Sequence, residues 1–230
     1  MNVLGLIPAR RNSKGIPLKN IKKLGGKFLI EYTINSAKKS HTINKIIVST
    51  DDLKISQISK KAGAEVPFLR PKSLSKDSSP SIDYVKHTLE KLKNEDYIPD
   101  VVVILQPTSP FRSWKNIDKS IKLLKNNITS IVSVSKINKH PYASFYLKNN
   151  FLTPFKNDFS KYYQRQLFPE LFFPTGSIYT FRTENIQKYN TIYGNKIKPL
   201  LIKDPIENID IDSPFDFFIA KSILKSKPKF

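Results

Sequence analysis

Val3-Leu4-Gly5-Leu6-Ile7-Pro8-Ala9-Arg10-Arg11-Asn12-Ser13-Lys14-Gly15-Ile16-Pro17-Leu18-Lys19-Asn20 is the stretch from which the fold is read. Its first five residues form an apolar run suited to a buried parallel strand. A loop follows with four cations (Arg10, Arg11, Lys14, Lys19), a glycine and small polar residues. Beyond it, Leu29 to Lys39 is amphipathic and reads as a helix. A strand opening into such a loop suits a polyphosphate, because cations balance its charge and turned backbone N–H groups supply hydrogen bonds. The competing reading is a basic surface loop. The spacing matches neither Gly-x-x-x-x-Gly-Lys-Ser/Thr nor Gly-x-Gly-x-x-Gly.

Further along, strand and helix signals alternate. Val3 to Ile7, Lys45 to Ser49, Glu65 to Phe68, Val101 to Leu105 and Ser130 to Ser135 read as strands. Leu29 to Lys39, Leu53 to Ala62, Ile82 to Leu92 and Trp114 to Leu124 read as the helices between them, the last N-capped by Ser113. This order predicts an α/β fold with a mostly parallel twisted sheet and helices on both faces. Ligands of such sheets bind beyond the carboxyl ends of the strands, so the loops after Ile7, Ser49, Phe68 and Leu105 are expected to converge. Later, Ser177 to Phe181 and Lys198 to Ile202 read as strands. Ser213-Pro214-Phe215-Asp216 starts a final helix with an N-cap, a first-turn proline and an acid at the third position.

With 230 residues, the chain suits one domain, residues 1–230, carrying an insertion at 138–174. That insertion is crowded with aromatics, from Tyr142 and Phe145 to Phe172 and Phe173, without a clean period. It reads as an arm whose rings pack on another copy of the chain; an irregular extension of the core is the alternative. No apolar run approaches the ~20 residues of a membrane helix, and no cleavable leader is recognisable, so no membrane insertion and a cytoplasmic location are expected. With no cysteine, disulfides and thiolate chemistry are excluded, and three scattered histidines argue against a histidine-rich metal site.

The formal charge of +20 invites a nucleic-acid reading. Yet all but six of the 39 basic residues are lysines dispersed along the chain, as on an ordinary solvated surface. The arginines are placed differently. Arg10, Arg11, Arg70, Arg112 and Arg165 all lie in loop motifs, where a planar fork suits phosphate or carboxylate.

Leu105-Gln-Pro-Thr-Ser-Pro-Phe-Arg112 follows a strand, and its prolines stiffen a loop expected to present Gln106, Thr108, Ser109 and Arg112 to the crevice. Amides and hydroxyls on a rigid loop suit a polyhydroxylated ligand; an ordinary proline-rich turn reads equally well. In Ile209-Asp210-Ile211-Asp212 the two carboxylates face one way, a reasonable place for Mg²⁺ that keeps its waters and gains phosphate ligands. Alternatively, Asp212 neutralises the start of the next helix. Arg70-Pro71 and the Asp77 to Ser81 loop suit a base or ribose, or cap a helix. Arg165 is the cation suited to a carboxylated substrate.

Taken in order, Ile7-Pro-Ala-Arg10, Ser13-Lys-Gly-Ile-Pro-Leu-Lys-Asn20, Val48-Ser-Thr-Asp-Asp52, Leu69-Arg-Pro71, Leu105-Gln-Pro-Thr-Ser-Pro110 with Arg112, Arg165-Gln166, Gly176 to Tyr179 and Asp210-Ile-Asp212 cover nearly the whole chain. This series resembles the acylneuraminate (nonulosonic acid) cytidylyltransferases. The resemblance implies a Rossmann-like nucleotidyltransferase fold and a homodimer joined through the insertion. It implies CTP and a nonulosonic sugar acid as substrates, Mg²⁺ as cofactor, and a product that feeds lipopolysaccharide or capsule synthesis. Ala9, Arg10, Ser13, Lys14, Lys19, Asn20, Arg70 and Ser81 would hold the nucleotide. Gln106, Thr108, Ser109, Arg165 and Tyr179 would line the sugar pocket, and Asp210 and Asp212 would bind the metal. Arg10, Lys14 and Asp212 would be catalytic. Thr175 and Phe173 depart from residues frequent in the sialic acid enzymes and bear on which sugar is taken. Legionaminic, pseudaminic, amino-substituted and Kdo-type acids are the alternatives to a sialic acid. A non-catalytic nucleic-acid binder would explain the charge, but neither the aspartate pair nor the Gln106 loop.

Overall fold

In the computed structural model, residues 1–155 and 165–226 are described. Six strands form the central sheet. They are β1 (Val3–Pro8), β4 (Lys45–Ser49), β5 (Val101–Leu105), β6 (Ser130–Lys136), β9 (Phe172–Arg182) and β10 (Ile197–Leu201). Their order is β10-β6-β9-β5-β1-β4. β1 pairs in parallel with β4 and β5, and β10 pairs in parallel with β6. β9 alone runs antiparallel to both its neighbours, β5 and β6. Two further two-stranded pieces stand apart: β2 (Lys23–Leu24) with β3 (Lys27–Phe28), and β7 (Phe145–Lys148) with β8 (Phe151–Pro154).

The two-residue period of the strands divides the core. Val3, Ile7, Val48, Val101, Val103 and Leu105 face one side, against α1 (Leu29–Lys39), α2 (Leu53–Lys61) and α4 (Trp114–Leu123). Leu4, Leu6, Ile47, Val102 and Ile104 face the other, against α3 (Ser81–Lys93) and α5 (Glu184–Tyr189). A smaller cluster joins Ile16 and Leu29 to Ile211 and to Phe217 of α6 (Pro214–Ser226), clamping the first loop to the last helix.

The helices read from the sequence begin and end within a residue or two of where periodicity sets them, and Ser113 caps α4 by accepting from Lys115 N; the short α5 has no counterpart in that reading. Glu65 to Phe68 differs from its reading as a strand. Only Glu65 bridges β4, through Glu65 N to Ile46 O and Val48 N to Glu65 O, both 2.9 Å. Pro67 has no N–H to continue the ladder. The aromatic stretch holds the β7–β8 hairpin, turned by Asn149 and Asn150 at φ 50° and 64°, the left-handed pair of a type I′ turn.

Candidate active site

The loop after β1 is tied down on both flanks. Ala9 N donates to Ser49 O at 2.9 Å, and Arg11 N donates to Asp51 Oδ1 at 2.8 Å. Arg11 also pairs with Asp52 at 3.2 Å, the residue that N-caps α2. Asn20 Nδ2 donates to Arg10 O at 2.9 Å. Gly15 packs directly on the backbone before α6: a Cβ there would lie 1.9 Å from Asp212 O. Close approach, not an unusual φ, is what demands glycine.

Folded this way, the loop forms one wall of a cavity of about 490 Å³ at the carboxyl ends of β1 and β5. Arg10, Ser13, Lys14, Lys19 and Asn20 line it, facing Arg70, Ser81 and Tyr84, with Gln106, Thr108 and Asp212 closing the far side. Asp77, on the loop before α3, pairs with Arg10 at 2.5 Å and Lys14 at 3.6 Å. Lys19 Nζ lies 2.8 Å from Asp212 Oδ1. The cations gathered here can meet several negative charges at once.

Arg70 is 5% exposed, and its Nε and Nη2 have no hydrogen-bond partner. Burial lowers its pKa, which the Asp51 carboxylate partly offsets. Its guanidinium sits 5.4 Å from the Tyr84 ring centroid. A buried cation with orphan donors at a cavity wall is costly unless a ligand supplies the acceptors.

On the far side, Ile211 N donates to Thr108 O at 2.8 Å, joining the Gln106 loop to the aspartate pair. Gly176 (φ +74°) lets β9 pass so closely that an added Cβ would meet Asp210 Oδ2 at 3.4 Å and Gln106 Oε1 at 3.5 Å. Burial raises the Asp210 pKa; the Thr108 hydroxyl opposes this and the Asp212 charge adds to it. Asp210 Oδ1 and Thr108 Oγ1 are both buried without a well-formed hydrogen bond. A second pocket of about 280 Å³ shares Ser81, Tyr84 and Gln106 with the first and adds Ile82, Ile104, Tyr179, Ile192 and Tyr193. Burial pushes the Tyr179 phenol up to about 12, so at neutral pH it stays a hydrogen-bond donor.

Several expected site residues sit elsewhere. Arg112 does not face the crevice. It is buried and donates to Gln106 O at 2.5 Å, Ser177 O at 2.8 Å and Thr33 Oγ1 at 3.2 Å, so it holds the Gln106 loop from behind. Burial brings its pKa down to about 9, against the pull of Glu207 and Asp210. Ser109 is buried beneath the loop, and Ala9 contributes backbone only. The Thr175 hydroxyl bonds to Ser133 Oγ at 2.8 Å inside the sheet. Phe173 lines a separate groove with Lys136 and Lys203, so neither it nor Thr175 borders the pocket of Gln106 and Tyr179. The side chain of Arg165 lies outside the described residues. The reading from sequence missed Tyr84, whose apolar helix position hides its place between two pockets. It also missed Ile192 and Tyr193, in a loop with no motif.

Among the described residues, no cluster of three or more histidine, cysteine or acidic side chains could hold a metal ion alone. Asp210 and Asp212 offer two carboxylates, one buried with an unpartnered oxygen and one open to the cavity. That donor set fits a hydrated Mg²⁺ completed by substrate oxygens.

Over residues 4–210 the sequence matches the family described as Cytidylyltransferase. The chain belongs to the cytidylyltransferase family. It is a nucleotidyltransferase of the acylneuraminate cytidylyltransferase type. Among related cytidylyltransferases, the CMP-N,N'-diacetyllegionaminic acid synthase of Legionella pneumophila is 36% identical over 228 residues, covering 98% of this chain and 97% of that protein. The N-acylneuraminate cytidylyltransferase of Escherichia coli is 32% identical over 228 residues, 98% of this chain and 52% of that protein. This cytidylyltransferase therefore spans about half the length of that relative. The solved structure of CMP:2-keto-3-deoxy-manno-octonic acid synthetase complexed with CTP shares the fold. Its TM-score is 0.74 at 15% identity, with 99% of this chain and 100% of that one covered.

Proposed function

We propose that this cytidylyltransferase activates a nonulosonic, sialic-type acid: CTP and the sugar acid give the CMP-sugar and pyrophosphate. The observation that carries the reading is the shared cavity, where the basic loop of Arg10, Lys14 and Lys19 meets Asp212 and the unpartnered Arg70. Arg10, Ser13, Lys14 and Lys19 hold the triphosphate, with Ala9 fixing the loop by its backbone. Asn20, Arg70 and Ser81 contact base or ribose, where a planar guanidinium with two free donors suits carbonyl oxygens. The sugar acid lies toward the second pocket, with Gln106 and Tyr179 as donors, Thr108 near them in the first cavity, and Arg165 as the partner of its carboxylate.

The anomeric hydroxyl of the sugar acid gives up its proton and attacks the α-phosphorus in line. A new O–P bond forms as the bond to the bridging oxygen breaks and pyrophosphate leaves with its electron pair. The protein's work is positioning and charge stabilisation. Arg10 and Lys14 meet the charge that builds on the leaving group. Asp210 and Asp212 would hold Mg²⁺, which supplies Lewis-acid polarisation of phosphate oxygens. Arg112 keeps the Gln106 loop in register behind the reacting groups.

The second reading, a diacetylated legionaminic acid, is favoured by a relative, the Legionella pneumophila synthase, that this chain matches end to end. The apolar lining of the second pocket by Ile82, Ile104 and Ile192 also suits acyl or deoxy groups on the sugar. On the same reading the enzyme works in the cytoplasm for surface glycan synthesis and as a homodimer through 138–174. The dimer is supported by the hairpin, where Phe145, Leu147, Phe151 and Leu152 are all exposed. Pyrophosphate release with CTP and a panel of nonulosonic acids tests the function. Turnover is expected with at least one acid, and Asp212→Ala and Lys14→Ala are each expected to lose about a hundredfold. No release with any acid, or near-normal turnover in both variants, would overturn it.

A further inference from the structure

The mechanism leaves two charged residues of the cavity lining, Lys76 and Asp77, without a role. Asp77 sits among the cations assigned to the triphosphate, yet it is an anion. Its two oxygens are divided between them, Oδ1 to Arg10 Nη1 at 2.5 Å and Oδ2 to Lys14 Nζ at 3.6 Å. Among the described residues the carboxylate has no other hydrogen-bond or ion-pair partner. It caps no helix, since Pro80 is the residue before α3.

We propose that Asp77 is a placeholder for the pyrophosphate end of the nucleotide, a positioning residue that offsets part of the charge of Arg10 and Lys14 and gives way when phosphate arrives. The inference rests on the proposed function, which puts the triphosphate at those two cations. A carboxylate and a phosphate compete for the same donors, and a phosphate chain brings more charge and more acceptor oxygens. Without Asp77, the lining would set Arg10, Lys14, Lys19, Arg70 and Lys76 around one space with Asp212 as its remaining acid, and like charges would splay the side chains.

The segment that carries Asp77 can yield. Its other polar ties are internal: Ser79 N donates to Lys76 O at 3.1 Å and Ser79 Oγ to Ser73 O at 3.2 Å. Both Arg10 and Asp77 are about one-third exposed and Lys14 is 80% exposed, so the pairs are water-screened and cheap to exchange. The same segment leads straight into Ser81 and Tyr84, which face both pockets. Phosphate binding therefore reaches the sugar side through the start of α3.

The test is calorimetric titration of the whole protein with inorganic pyrophosphate, comparing wild type with Asp77→Asn and Asp77→Glu. Asp77→Asn is expected to bind about three- to tenfold more tightly, the worth of an exposed pair or two, and Asp77→Glu within about twofold of wild type. In steady-state kinetics Asp77→Asn is expected to lower KM for CTP without a matching rise in kcat. Amide exchange over residues 72–79 should speed up when pyrophosphate is added to wild type, and should already be fast in Asp77→Asn. If wild type binds pyrophosphate and loses it on Arg10→Ala, but Asp77→Asn binds equally or more weakly, the placeholder is overturned and the active site stands. If wild type does not bind pyrophosphate at all, the proposed site falls and the placeholder with it.

Discussion

Lys19 Nζ and Asp212 Oδ1, 193 positions apart, lie 2.8 Å from each other. The ammonium is nearly buried and the carboxylate mostly open. Through this pair the loop after the first strand docks on the segment before the last helix. Lys19 occupies the carboxylate that the proposed metal needs, just as Asp77 occupies the cations that the proposed phosphates need. The two acids of the cavity lining are thus each paired with its cations.

That docking depends on Gly15. A methyl group at this position would collide with Asp212 O, a backbone atom that cannot rotate aside. Gly15→Ala is expected to destabilise the protein by about 1–3 kcal/mol and to weaken CTP binding by about tenfold, as the loop and the aspartates separate. Thermal unfolding and a CTP titration check both; unchanged values would mean that the contact is relaxed at no cost.

On the proposed function, Arg70 trades stability for binding. Its Nε and Nη2 are buried without a hydrogen-bond partner, on a residue that lines the cavity. Arg70→Met is expected to raise the stability of the free protein by about 1–3 kcal/mol while weakening CTP binding at least about tenfold. A lower Tm without any change in CTP affinity would show that Arg70 serves the core and not a ligand.

Much of this was legible in the sequence. The alternating apolar strands and amphipathic helices set the layers, and Arg10, Lys14, Lys19, Gln106, Thr108, Arg70, Ser81 and Asp212 share one cavity, while Arg11 pairs with Asp52 and Asp210 lies outside the lining. What was hidden depends on three-dimensional neighbours. Arg112 reads as a binding arginine, but only the fold shows its donors spent on Gln106 O and Ser177 O. The Asn149-Asn150 pair between two short apolar runs was a hairpin signal masked by the density of aromatics. Tyr84 and Tyr193 carry no motif at all, because a pocket-lining ring and a core ring look the same in a chain of letters.

Asp118 supplies a pH signature away from the site. Burial pushes its carboxyl up, but donors outweigh that: Ser40 Oγ at 2.5 Å, Thr42 Oγ1 at 2.7 Å and His41 N at 3.2 Å hold it below the usual range. A depressed folded pKa gives stability that is complete above the unfolded value of about 3.9 and is lost as pH falls through the folded one. Asp118→Asn is expected to be about 1–3 kcal/mol less stable than wild type at pH 5. The gap in Tm should shrink as pH falls below about 4; a gap that widened there would reverse the assignment.

The exposed hairpin carries the expectation of a dimer. Leu147 and Phe151 are 73% and 75% exposed, more apolar surface than an isolated hairpin keeps without a partner. Leu147→Glu with Phe151→Glu is expected to convert a dimer to a monomer in sedimentation, with the sheet intact by circular dichroism. A wild-type monomer at assay concentrations would end this expectation.

The most direct test of the central claim is a crystal structure of the protein with CTP and Mg²⁺. The account expects the phosphates within hydrogen-bond reach of Arg10 and Lys14, Asp77 swung away, and a cation on Asp210 and Asp212. A nucleotide bound outside the cavity between Arg10 and Asp212 would contradict it.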